Sequence, residues 1–354
     1  MVFREKLLRK YSFKTIYGEF LKDLKKLEQG IVINSPTTRR VKCGVLLYAS
    51  DNLEASVVGG FSACFSSKDI CRHCHIQYKD LETKIHGHQH NFWTKEEYDK
   101  IIRKVSANDT EEADEDEVNV NAGNLLTEHS SDEESPDDDD NESESEHDDD
   151  NEQNPINTRG IKSECPLNSL SSFHCITSFP PDIMHDLFEG VIPEDLLCII
   201  RILVSKGWFT LQQYNTTLHN LEYAANETGD KPYPVPTSSK VKKLKGKAVS
   251  NWTHLRNWPV VIRKFVLDYE DEVLILGLKL HDIVERLTAQ SFLPYEVDLL
   301  EEKITQYLNM RAKFRSENPD VMTNPKPKHH FLRRGYINNI LSINNIFFHK
   351  ICSP

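Results

Sequence analysis

Cys71 and Cys74 stand two residues apart in Cys-Arg-His-Cys, with His75 beside them. Two thiolates at that spacing can fill one side of a tetrahedral zinc site, which then needs two more ligands. The sequence offers two candidate pairs. His86 and His90 complete C-x2-C-x11-H-x3-H, a spacer one residue short of a zinc finger, and Gly87 and Ile85 weaken the helix a finger requires. His329 and His330 lie near the other end of the chain and would close a long-range clip instead. Buried thiols beside unrelated histidines are the plain alternative.

A second group is Asp182, His185, Asp186 and Glu189. On a helix its three carboxylates share a face and could hold a divalent ion, or could serve as helix-start acids that complement the dipole. Lys240, Lys242, Lys243, Lys245 and Lys247 make a basic loop suited to phosphates or to a nuclear address. There is no Gly-rich phosphate loop, no G-x-S-x-G and no H-E-x-x-H. Those absences disfavour P-loop nucleotide hydrolysis, serine-nucleophile hydrolysis and zincin chemistry.

The elements that must position these groups follow from periodicity. Phe13, Ile16, Tyr17, Phe20, Leu21, Leu24 and Leu27 form one helical stripe ended by Gly30. Val41 to Asp51 reads as a buried strand with Asp51 at its C-terminal end. After Thr158 the pattern is mainly helical: one helix begins at Pro181, another runs from Pro193 to Lys206, and others span 260–267, 273–290 and 295–315.

The chain has 354 residues and a formal net charge of −12, but that charge is divided. Residues 106–153 hold 22 of the 55 acidic residues and no Lys or Arg, which leaves 33 acids against 43 bases elsewhere. Residues 105–158 therefore read as a disordered acidic segment, a candidate for protein partners, and the rest as a basic body suited to DNA. No apolar run is long enough for a membrane span, and the charged N-terminus resembles no secretory signal, so the eight cysteines are expected to be reduced.

Several segments together resemble the transposases of EnSpm/CACTA-type DNA transposons of animals. They are Ser50–Phe61 (SDNLEASVVGGF), Cys71-x2-Cys74, the Gly160 to His174 stretch, Phe179–Pro193 (FPPDIMHDLFEGVIP), Lys243–Ala248 with Asn251-Trp252, and Pro327–Leu332 (PKHHFL). The similarity runs in order from about residue 10 to 332, and the Met-His-Asp-Leu-Phe-Glu-Gly-Val block is its most specific part. The resemblance implies an RNase H-like core with a large helical insertion. It also implies three acids holding two Mg²⁺ ions for attack on phosphodiesters. Asp51 would be the second of those acids, and Cys71 and Cys74 with His329 or His330 would bind a structural zinc. The family's first Asp lies upstream of the helix that begins here near Phe13. Its Glu lies downstream, past a second zinc histidine whose place Arg334 takes, and no Glu follows Glu317.

The expected fold class is therefore α/β. It comprises a partial RNase H-like core over 1–104, the acidic segment over 105–158, a mainly helical insertion over 159–332 and a divergent tail over 333–354. The expected function is that of a truncated, transposase-like nuclear protein, not secreted and not membrane-bound, that binds DNA or protein and zinc without catalysis. An active, Mg²⁺-dependent transposase or nuclease and a zinc-binding interaction module are the alternatives.

Overall fold

The computed structural model describes residues 13–34, 37–62, 69–81, 92–112, 158–289, 291 and 293–333. The first apolar stripe forms α1 (Phe13–Gln29) and stops at Gly30, whose φ of 101° suits a residue without a Cβ. A short antiparallel hairpin follows, β1 (Ile31–Asn34) and β2 (Thr38–Val41), with Ile31 opposite Val41. It is the only sheet among the described residues.

The buried strand expected from Val41 to Asp51 does not form; the chain from 42 to 51 is irregular. Its backbone is satisfied by a loop rather than by a neighbouring strand. Val45 N donates to Ser172 Oγ at 2.9 Å and Tyr48 N to the Ser178 carbonyl at 2.8 Å. Asp51 consequently caps a helix instead of ending a strand. Its carboxylate accepts the Glu54 N–H at the start of α2 (Asn52–Val58).

Helix α3 (Lys95–Glu112) carries regular structure into the first residues of the stretch expected to be disordered. The remainder of that expectation, 113–157, and the tail from 334 lie outside the described residues. Helices α1, α2 and α3 and the segment around Phe173 and Phe179 share one core, which includes Tyr17, Ala55, Val58 and Tyr98. Tyr98 ties it together by donating to the Gly59 carbonyl and accepting from Cys165 N.

A second, larger core is helical. The chain after Pro181 forms a π-helix over Met184–Val191 that runs straight into α4 (Ile192–Ser205), where two separate helices were expected. Nearly every residue of α4 from Ile192 to Leu203 is buried, so it must be surrounded on all sides. The surrounding elements are α5 (Leu211–His219), α6 (Ala248–Ile262), α7 (Glu272–Leu287) and α8 (Pro294–Glu317). The helices expected at 273–290 and 295–315 are thus present. The one expected at 260–267 is instead the end of α6, which starts at Ala248 and contains Pro259. Its polar first half hides the periodicity, because Asn251 and His254 are buried by tertiary partners, the Phe188 carbonyl and the Tyr214 hydroxyl.

The fold is therefore mixed and mostly helical, with one small sheet. No helix among the described residues is long and apolar enough to cross a membrane.

Helix α7 approaches α6 at Gly277, where an added Cβ would lie 2.4 Å from Cη2 of the fully buried Trp258. Overpacking of this kind costs about 1–3 kcal/mol. Gly277→Ala is expected to lower the urea midpoint accordingly, whereas a surface Gly229→Ala, with open space around it, is expected to leave it nearly unchanged.

Candidate metal centre and adjoining cleft

The segment around Cys71 and Cys74 is held by two isolated β-bridges, Asp69 with Gln77 and Cys74 with Phe92. Its apolar residues Ile70, Ile76 and Leu81 form a third small core with Phe331. Phe331 arrives on a helical turn, α9 (327–333), which Pro327 opens at a position where its missing N–H costs nothing. The same turn brings His330 to the cysteines. His330 Nε2 lies 3.1 Å from Cys74 Sγ, and the donor atoms of Cys71, Cys74 and His330 all fall within 4.8 Å of one another. All three side chains are buried.

This donor set fits a soft or borderline metal such as zinc. Zinc bonds of about 2.3 Å to sulfur and about 2.0 Å to nitrogen imply sulfur–nitrogen edges of about 3.6 Å in a tetrahedron. The electrostatics agree. Burial pushes the Cys71 thiol up, but a hydrogen bond from Cys74 and the neighbouring His330 outweigh it and hold the group well below the usual thiol range. His73, between the cysteines, is lowered to about 3 by burial and by Arg72, and its ring meets Phe331 edge-on. It fills the core of the turn as a neutral ring.

The two histidines of the C-terminal pair diverge. His329, expected beside His330 as a candidate ligand, points instead into the helical core, where Nε2 lies 3.2 Å from Asp195 Oδ2. Adjacent residues of a helix project about 100° apart, so only one of the two can face the thiols. His86 and His90, the local candidates, lie outside the described residues.

Asp182, His185, Asp186 and Glu189 do not gather round a common point. Among the described residues the only cluster of three or more possible metal ligands is Cys71, Cys74 and His330. Asp182 accepts the Met184 and His185 N–H groups and bonds the His185 ring, as a helix-start residue does. Asp186 points the other way, is fully buried, and accepts from Asn52 Nδ2 at 2.6 Å. Arg72 donates to Asn52 Oδ1 at 2.9 Å, so one chain of contacts links the cysteine turn, the start of α2 and the π-helix.

Beside this linkage opens a cleft of about 470 Å³. Asp51, His185 and Glu189 line it together with Glu194, Lys243, Lys326 and Lys328. Of the basic loop, Lys243 reaches this cleft, while Lys240, Lys242, Lys245 and Lys247 are exposed elsewhere along the loop. The loop is pinned by Leu244 N, which donates to the Pro193 carbonyl at 3.0 Å. Gly190 explains the glycine of the Met-His-Asp-Leu-Phe-Glu-Gly-Val block. A Cβ there would meet Lys328 Cδ at 2.4 Å and the His185 carbonyl at 3.0 Å.

Sequence reasoning missed Asn52, Arg72 and the buried Asp195, Tyr307 and Arg311, which His329 joins instead of the cysteines. A signal for Asp195 existed: it directly precedes the apolar run Leu196–Ile200 on one helix, where a carboxylate turned inward needs a charged partner. Comparison of the chain with family models, with curated proteins and with solved structures gave no match in any of the three.

Burial raises the Asp186 carboxyl from 3.8 to about 7, against the opposing pull of Arg72 and Asn52. The folded state then holds a proton that the unfolded state has released, so stability falls as pH rises from about 4 to 7. Asp186→Asn keeps an acceptor for Asn52 and removes the titration. Between pH 5 and 8 the variant is expected to gain on wild type, by on the order of 3 kcal/mol at pH 8. Urea titrations at pH 5 and pH 8 measure it, and an equal difference at both values would refute the assignment.

Proposed function

We propose that the chain is a transposase-like, metal-stapled DNA-binding protein of the nucleus that does not itself cut DNA. The observation that carries this reading is a juxtaposition. A cysteine pair and a histidine 256 residues away meet beside the cleft that gathers Asp51 with Lys243, Lys326 and Lys328. The EnSpm/CACTA resemblance implies such a zinc clip, with Asp51 as one of the acids, and Lys243–Ala248 is among its matching segments. It also implies an RNase H-like core; the only sheet among the described residues is one two-stranded hairpin.

The metal we assign is zinc, in a structural role. Bound at Cys71, Cys74 and His330 it would join the cysteine turn to α9 and neutralise the two thiolates. No catalytic step runs through it. Phosphates are the natural partners of the cleft lysines and of the exposed Lys240–Lys247 loop. The loss of cutting is supported by how the acids are used. Asp51 caps α2, Asp182 bonds His185, and Asp186 is buried against Asn52, so these acids do not converge on one point as a Mg²⁺ ligand set would.

Metal analysis of the purified chain is expected to give about one zinc per molecule, lost in Cys71→Ser. Fluorescence anisotropy with duplex DNA is expected to show affinity that falls steeply with salt. The salt slope should shrink by about one for each phosphate-contacting lysine among 243, 245 and 247 changed to Gln. Zinc-loaded, folded protein that ignores DNA at low salt would sink the DNA reading and favour a protein-interaction module. Supercoiled plasmid is expected to stay intact with Mg²⁺ or Mn²⁺. Nicking that Asp51→Ala abolishes would replace the reading with an active nuclease.

A further inference from the structure

Between the metal centre and the helical core lies a fully buried charged group that neither the resemblance nor the cysteine pattern points to. Asp195, on the inner face of α4, receives three donors. Arg311 Nε on α8 lies 3.0 and 2.9 Å from its two oxygens, and Tyr307 and His329 both bond Oδ2. Burial pushes this carboxyl up, but Arg311 and His329 overcome it and hold the group well below the usual carboxylate range. Arg311 also reaches the Thr323 carbonyl and hydroxyl, which fixes the loop leading into α9.

His329 is bound at both ring nitrogens. Nδ1 accepts the Lys326 N–H at 3.1 Å, the contact by which the third residue of a helix caps its own start. The proton therefore sits on Nε2 and is donated to Asp195. With that ring fixed, the turn has one rotation about its axis left, and it is the rotation that aims His330 at Cys74. Lys326 adds a second tether, 2.8 Å from Glu194, the residue before Asp195.

We propose that Asp195, acting through His329, is the positioning residue for the metal centre, so that metal binding and the docking of α9 onto the helical core are one coupled event. The proposal rests on the metal reading above and extends it. The paired histidines divide the work: His330 meets the metal while His329 holds the helix that presents it. Metal ligands are commonly oriented by such outer partners, whose removal weakens binding about 10–100-fold. Here the partner acts from the next residue along the helix rather than on the ligand ring itself.

Two substitutions separate the functions of the ring. His329→Asn places its amide oxygen where Nδ1 was and keeps the cap, but cannot reach Asp195. His329→Gln places its amide nitrogen near the position of Nε2 and keeps the link to Asp195. Tyr307→Phe removes a hydrogen bond to the same carboxylate without touching α9, and so reports on stability alone. Zinc affinity is read on the full chain by chelator competition, and site geometry from the visible spectrum of the Co²⁺-substituted protein.

The expected result is zinc affinity weakened about 10–100-fold in His329→Asn, with near-wild-type affinity in His329→Gln and in Tyr307→Phe. The Co²⁺ spectrum should be altered in the Asn variant only. Wild-type affinity in folded His329→Asn, or an equal loss in Tyr307→Phe, would overturn the proposal. Should His329→Asn be unfolded without metal, the zinc concentration that restores its circular dichroism is read instead, and a value equal to wild type overturns it in the same way. Wild-type protein that takes up neither Zn²⁺ nor Co²⁺ would refute the metal reading itself, an outcome distinct from all of these.

Discussion

Two adjacent histidines on one short helical turn are buried in opposite surroundings, and most of the architecture follows from accommodating both. His330 must meet thiols from the N-terminal third of the chain, while His329 must meet a carboxylate inside the helical core. A helix turns about 100° per residue, so the turn that carries them has to sit at the seam of the two bodies. Phe331 completes the small core of the cysteine turn, and Leu332 belongs to the large helical one. The seam is thus built from four consecutive side chains, the outer two facing the helical core and the inner two the cysteine turn.

The Asp195 group explains how a charged residue can lie fully buried in the first turn of α4. Burying an ion costs several kcal/mol unless its lone pairs are met, and replacing one partner alone would strand the other. Arg311, Tyr307 and His329 together meet those lone pairs from two different elements. Such a group adds little net stability compared with apolar packing. Its effect is to fix one register of α8 and α9 against α4, and with it the direction in which His330 faces the thiols.

The same logic runs through the neighbouring contacts. Arg72, Asn52 and Asp186 join three segments far apart in sequence by directional hydrogen bonds. The π-helix from Met184 to Val191 re-aims the residues before α4, so that Asp186 faces inward while His185 and Glu189 face the cleft. Gly190 lets Lys328 cross that π-helix at close range. The specific sequence block at 184–191 is therefore a junction where three parts of the molecule touch, with Asp186 turned into it and Glu189 toward the cleft.

Periodicity and composition by themselves determined a good deal. The stripe from Phe13 to Leu27, the helices at 193–206, 273–290 and 295–315 and the division of charge were legible, because 3.6-residue repeats and runs of one charge are local properties of the chain. Cys71 and Cys74 were legible as candidate metal ligands because of their spacing, and the structure brings His330 to them. Other features depended on partners that local sequence does not name. Val41 to Asp51 has the side chains of a strand, yet its backbone bonds to Ser172 and Ser178, more than a hundred residues away. Asn251 and His254 look like a surface stretch until Phe188 and Tyr214 bury them. The choice between His329 and His330 was beyond sequence for the same reason. Two identical side chains one residue apart differ only in direction, and direction is set by what Asp195 holds in place.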